Sequence, residues 1–282
     1  MFTLAQLVCC LLVPGFLALA LGVLARNRDG IRPAGLGGGV LVFAALVGHL
    51  TAALTAGDAL WPPRDGWHWA IPACFAVAML TAFRPLDSVQ GWKPPVIPLI
   101  LHVLVAGLGA WLLLRPVANL KAWEIAAWSL GFALFSAGSV TVVTFGLRDT
   151  RRLGWLALAG AAAGIAAGVV AGGSKDLGLF AGTLAAAATA LALAGAPNTG
   201  AGAAAIPLGW FILLGLHYAS LHPASAAILA LAPTALILSR IPAVIRHPRL
   251  AGAVRVVAPL AVAGLGIAVG MLLAPQYDST GY

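Results

Sequence analysis

Histidine is the residue type with which this chain has the most scope for chemistry. Six are present. His49, His68, His102, His217 and His222 lie in or beside long apolar stretches, and His247 sits in a basic segment. Imidazole binds transition metals and changes charge near neutral pH. His49, His68, His217 and His222 are expected at one membrane face, where four imidazoles would make a metal site or a pH-sensitive gate. The five-residue spacing of His217 and His222 suits chelation from one helical face poorly. Helix-to-helix hydrogen bonding is the plainer expectation for each. His102 is expected nearer the midplane and, with Ser139 and Trp210, forms a candidate cavity lining.

The other reactive types argue by their positions. Cys9, Cys10 and Cys74 all fall inside apolar runs and show no C-x-x-C spacing, so they are expected to be small packing residues. No Asp, Glu, Lys or Arg occupies the centre of an apolar run; Asp58, Arg115 and Glu124 sit at the ends. Ionisable groups at depth are costly and usually serve ion or proton pathways, so a carboxylate-driven antiporter is disfavoured. A Mg²⁺-dependent transferase would need clustered carboxylates, and none occur. G-x-S-x-G, H-E-x-x-H and a phosphate-binding Gly loop with Lys are absent as well. Hence no catalytic residue, cofactor or metal-ligand set is assigned, and an enzyme is the least favoured class.

The elements that must position these residues follow from composition. Of 282 residues, 61% are hydrophobic and 9% charged, with mean hydropathy +1.00. Soluble domains carry roughly 25% charged residues, which excludes a soluble globular enzyme. A helix crossing the bilayer needs about 20 apolar residues. Ten runs qualify, near 4–25, 36–55, 67–83, 96–114, 123–147, 153–172, 177–195, 203–221, 223–239 and 256–274. They are too long and unalternating for barrel strands. The expected fold is an all-α polytopic membrane bundle of about ten helices in one domain, residues 1–282. The stretch from 177 to 239 is the hardest to divide: Ala196-Pro-Asn-Thr-Gly200 marks a turn, and His222-Pro223 leaves either a hairpin or one kinked helix.

Charge sets the expected orientation. Twelve of the 16 Lys and Arg fall in the odd-numbered loops, among them Arg26, Arg28 and Arg32, Arg148, Arg151 and Arg152, and the last group, Arg240, Arg246, Arg249 and Arg255. Loops rich in Lys and Arg stay cytoplasmic, so both termini are expected outside, in a cytoplasmic (inner) membrane. The first run has no basic residue before it and is expected to be an uncleaved anchor. The net charge of +8 lies at membrane edges, not in a stripe or arm, which argues against nucleic acid and for anionic inner-leaflet lipid as partner. Residues 242–255 are a topology-setting loop or a short interfacial segment carrying Val244, Ile245 and Leu250.

Helix packing in lipid relies on small residues. Gly160, Gly164 and Gly168 form two overlapping GxxxG units, and Gly37-Gly38-Gly39 opens the second run as a packing feature. Ser136, Gly138, Ser139, Thr141 and Thr144 make the fifth run polar, as helix glue or as a solute path. Trp61, Trp67, Trp69, Trp92, Trp111, Trp123, Trp128 and Trp155 fall near run ends, as aromatic belts do. Ten runs divide into halves 1–147 and 148–282 of opposite orientation, with Ala70-Ile-Pro72 echoed by Ala205-Ile-Pro207. In length and span count this plan resembles the drug/metabolite transporter superfamily, whose cytoplasmic termini differ from the charge pattern here and none of whose motifs is matched. The resemblance implies a small-solute transporter or flippase. The reading of a different class is a non-catalytic scaffold or accessory subunit with a membrane-protein partner.

Overall fold

In the computed structural model, residues 4–27, 36–55, 66–83, 96–117, 119–147 and 150–273 are described. All elements among them are helical. They are α1 (Leu4–Asn27), α2 (Leu36–Thr55), α3 (Gly66–Phe83), α4 (Val96–Leu114), α5 (Ala122–Leu147), α6 (Arg151–Ala171) and α7 (Lys175–Ala194). After a 3-10 turn (Ala201–Ala204) come α8 (Ala205–Tyr218) and α9 (Pro223–Leu231). A 3-10 segment (Pro233–Arg240) leads to α10 (Pro242–Ile245) and α11 (Pro248–Leu273).

Local chemistry sets the boundaries in the difficult stretch. Ser174 caps α7 by accepting from the Leu177 amide, and Gly195, left-handed at φ 65°, ends it. His222 caps α9 through its ring, followed by Pro223, whose missing N–H costs nothing at a helix start. Pro233 cannot continue the hydrogen-bond ladder of α9, and the chain bends by 43° there. The junction at His222-Pro223 is therefore a hairpin, since α8 has already ended at Tyr218.

Among the described residues, seven helices are long and apolar enough to cross a membrane, and the bent α9 pair would make an eighth. The shorter apolar helices Gly37–Thr51 and His68–Phe83 lie in α2 and α3. Every expected run thus carries helix, but length and composition support seven or eight crossings, not about ten.

The helices pack as a meander around one central element. Neighbours from α1 to α5 pack in succession, α1 also lies along α7, and α6 forms a hairpin with α7. The α11 helix packs on α6, α9 and the 233–240 segment, while α8 sits among α3, α4, α5, α6, α7 and α9. A two-fold relating residues 1–147 to 148–282 would pair the α1–α7 contact with one between α2 and α6, and the α6–α11 contact with one between α1 and α5. Among the described residues neither counterpart forms comparably.

Glycine sets the closest approaches. A methyl group at Gly164 would overlap Ala263 of α11, and one at Gly160 or Gly168 would press on Leu260 or Leu229. The GxxxG face of α6 therefore seats α11 and α9. Gly138 of α5, expected to be helix glue or part of a solute path, and Gly131 of the same helix have nothing within 4 Å of such a methyl and face outward.

Candidate functional site

The most unusual backbone lies between α7 and α8. Residues 195–200 are non-helical, and the chain from Gly200 to Gly215 is buried without interruption. Buried backbone groups outside helices need partners. The Thr199 carbonyl accepts from the Gly38 amide at 2.8 Å, and the Ala196 carbonyl accepts from the Trp155 indole N–H at 3.0 Å. Asn198 Nδ2 donates to the Leu147 carbonyl at 2.8 Å and to Thr150 Oγ1 at 2.7 Å. Thr150 donates in turn to the Leu147 carbonyl.

These bonds tie the crossing to the start of α2, the end of α5 and the start of α6. The glycines make this possible. A side chain on Gly37 would strike the Pro197 carbonyl, one on Gly38 the Gly200 backbone, and one on Gly202 the Thr144 hydroxyl. Gly37 and Gly38 are thus a backbone-to-backbone seat for residues 197–200, while Gly39 faces Ala78 and Ala82 of α3. Gly200 supplies the positive φ, 73°, that starts the 3-10 turn. The crossing lies at the end of the bundle marked by Thr150 and Arg152, whose guanidinium comes within 3.4 Å of where a Cβ on Gly195 would sit.

Polar capacity is left over at the crossing and further along α5. The Asn198 Oδ1, Thr144 Oγ1 and Ser136 Oγ atoms are buried without a hydrogen-bond partner. Ser129 and Thr141 of the same helix instead bond the carbonyl one turn back. Asn198, Thr150 and Gly38 were not foreseeable as a group: the only signal is an uncharged Pro-Asn-Thr-Gly turn between two small-residue runs.

The candidate midplane residues are all buried, each with its own surroundings. Trp210 packs flat over Gly109 of α4, donates its indole N–H to the Ala106 carbonyl at 3.1 Å, and stacks near Phe132. About two turns on, the Tyr218 hydroxyl bonds the Leu113 carbonyl at 3.1 Å, so α8 is pinned to α4 twice. His102 turns to α3, with Nε2 3.2 Å from Thr81 Oγ1 and Nδ1 2.7 Å from the Pro98 carbonyl. Ser139 lies on the inward face of α5.

The four histidines expected at one face are dispersed in role. His49 is buried and stacks on Phe180 of α7, ring centroids 3.9 Å apart. His68 is also buried. His217 meets Trp128 edge-on, at 5.1 Å between centroids, with its Nε2 buried and lacking a hydrogen-bond partner. His222 is the α9 cap. Among the described residues no three of His, Cys, Asp and Glu gather as a metal site would require.

The tryptophans expected in aromatic belts differ in exposure. Trp123 and Trp128 are exposed and, with Leu120, Glu124, Ala127 and Gly131, line an open groove of about 460 Å³ at the start of α5. Trp155, expected at a belt, is fully buried as a partner of the crossing. Trp61 and Trp92 lie outside the described residues, as does the side chain of Trp67.

Comparison of the chain with protein-family models, with curated proteins and with solved structures finds no match in any of the three. The likeness in plan to the drug/metabolite transporter superfamily has no family match behind it.

Proposed function

We propose that this integral membrane protein is a small-solute transporter or flippase, with its solute path beside the interrupted central segment, residues 195–218. The carrying observation is the buried non-helical crossing with unpaired polar atoms on Asn198, Thr144 and Ser136. Irregular backbone inside a membrane protein is tolerated where protein covers it or where it lines a cavity, and transporters place broken helices at their sites. An unpaired buried polar group costs about 1–3 kcal/mol. Such atoms, on Asn198 and Thr144 at the crossing and on Ser136 about 12 Å further along α5, fit a path that exchanges partners with a solute.

In this reading all ten helical segments cross or re-enter the membrane, and the end bearing Arg152 and Arg240 faces the cytoplasm. A reporter fused after Tyr282 is expected to be active only outside. Anionic lipid is the matching partner: no acidic residue lies between Asp176 and Asp278, while Arg240, Arg246, Arg249 and Arg255 do. Around them Ile241, Ile245 and Leu250 are exposed.

The test is uptake by the purified full chain in proteoliposomes, screened against neutral, zwitterionic and anionic solutes and a fluorescent phospholipid. Uptake of one class, abolished by Asn198→Leu in protein of unchanged helicity, supports the proposal. Absence of movement for every class, with the chain recovered in a stable complex with another membrane protein, supports the scaffold reading instead. The outward small-residue positions Gly131 and Gly138 on α5 favour that second reading.

A further inference from the structure

We propose that Thr81 and His102 form a buried proton-binding site, and that the proton is the coupling ion of the transport reading above, on which this second step rests. Both residues are fully buried, on α3 and α4. His102 Nδ1 lies 2.7 Å from the Pro98 carbonyl, which can only accept, so Nδ1 carries a hydrogen. His102 Nε2 lies 3.2 Å from Thr81 Oγ1, and Thr81 Oγ1 lies 2.6 Å from the Val77 carbonyl. That carbonyl also can only accept.

Counting hydrogens gives the chemistry. A neutral imidazole leaves Nε2 with a lone pair, so Nε2 and the Val77 carbonyl compete for the single Thr81 hydroxyl hydrogen. One proton added at Nε2 removes the conflict. Nε2–H then donates to Thr81 Oγ1, Thr81 donates to Val77, and Nδ1–H donates to Pro98. The reaction is imidazole plus proton to imidazolium, with no other reactant and no heavy-atom movement.

Among the described residues no charged partner stands near to hold the imidazolium. The helices packed on α4 are α3, α5 and α8. Their titratable groups are His68 and Cys74 on α3, Glu124 on α5, and His217 and Tyr218 on α8. At 1.5 Å per residue, His68 is about 20 Å and Cys74 about 10 Å from Thr81 along α3. Tyr218 bonds Leu113, about 16 Å along α4 from His102, with His217 beside it. Ala133 of α5 meets Gly107 of α4, and Glu124 lies about 13 Å further from His102 along α5. Arg84, Asp87 and Lys93 belong to the α3–α4 connection, outside the described residues. An unneutralised cation in a dry bundle is strongly disfavoured. The site therefore takes its proton when water reaches it and releases it when it is sealed, which links proton occupancy to opening of the bundle. A metal ion fits these two side chains poorly, since among the described residues no group of three ligands gathers there.

The test is nitrogen NMR on the full chain with labelled histidine in lipid bilayers, the His102 signals being assigned by their loss in His102→Asn. From about pH 8 to 4, a window reaching below the range in which a free imidazole changes charge, His102 is expected to pass from one protonated nitrogen to two. Thr81→Ser should keep that change and Thr81→Val should suppress it. A His102 that stays neutral throughout, or a Thr81→Val variant that titrates as the parent does, overturns the site. This measurement uses no solute, so its failure leaves the transport reading standing, and failure of the uptake assay leaves the proton site standing. For a solute that is taken up, a pH gradient should drive uptake in the parent and not in His102→Asn. Gradient-driven uptake persisting in His102→Asn overturns the coupling role.

Discussion

The segment containing α8 and the helix α11 are both uncharged apolar runs at their centres, yet they occupy opposite places. Residues 201–218 have a mean hydropathy of 1.4 and are 83% buried, whereas an 18-residue apolar stretch of α11 has a mean hydropathy of 2.4 and is 17% buried. The outer helix is the more hydrophobic one. The trend continues in α1, at 2.7 and 24%, and α7, at 1.9 and 67%. In water the order would be reversed. In lipid, apolar side chains gain little by leaving the solvent, so burial goes to helices whose small residues let backbones approach. The α8 region has Gly202, Gly209 and Gly215 against Thr144, Phe132 and Val169. The α11 helix presents Leu265, Met271 and Leu272 to lipid.

The difference can be broken by substitution. The largest effect is expected from Leu229→Ala, since Leu229 is fully buried beneath Gly168 and Gly266. A loss of about 2–5 kcal/mol is expected, read by reversible unfolding in mixed micelles. Leu265→Ala on the lipid side of α11 should stay within about 0.5 kcal/mol. Equal losses at the two sites would mean that α11 is buried in a partner. Next comes Gly38→Val, which would strike the Gly200 backbone. Overpacking that cannot relax costs about 3 kcal/mol, with loss of the folded protein on size exclusion as the expected readout.

Trp210→Phe removes the bond to Ala106 while keeping most of the ring. A cost of about 1–2 kcal/mol is expected from the orphaned contact and the small void. The smallest effect, and of opposite sign, belongs to Gly264→Ala. Nothing lies within 4 Å of its added methyl, so better helix propensity should stabilise the chain by up to about 1 kcal/mol. Destabilisation at Gly264 would reveal a neighbour against that face.

Much of the fold was legible because bilayer thickness and the cost of unpaired backbone act on the sequence directly. Each expected run carries helix, and the Gly160–Gly168 face does mark an interface. The number of crossings was less legible, because Pro233 breaks the ninth run into a bent pair and the apolar stretches Gly37–Thr51 of α2 and His68–Phe83 of α3 are short. The candidate sites were legible only as residue types. His222 reads as a ligand until its ring is seen capping α9. Trp155 reads as a belt residue until its N–H is seen on Ala196, a contact that depends on a chain crossing forty residues away.

The amino-acid sequence by itself determined that this chain is built for a membrane, that it is helical, and that its charges keep clear of the centres of its apolar runs. Those properties follow from the solvent and need no knowledge of neighbours. Only the tertiary structure decided which helix stands at the centre, that Gly37 and Gly38 seat a buried crossing, and that His102 faces Thr81. Those are matters of contact between distant residues, and hydropathy, being a property of one segment at a time, carries no information about them.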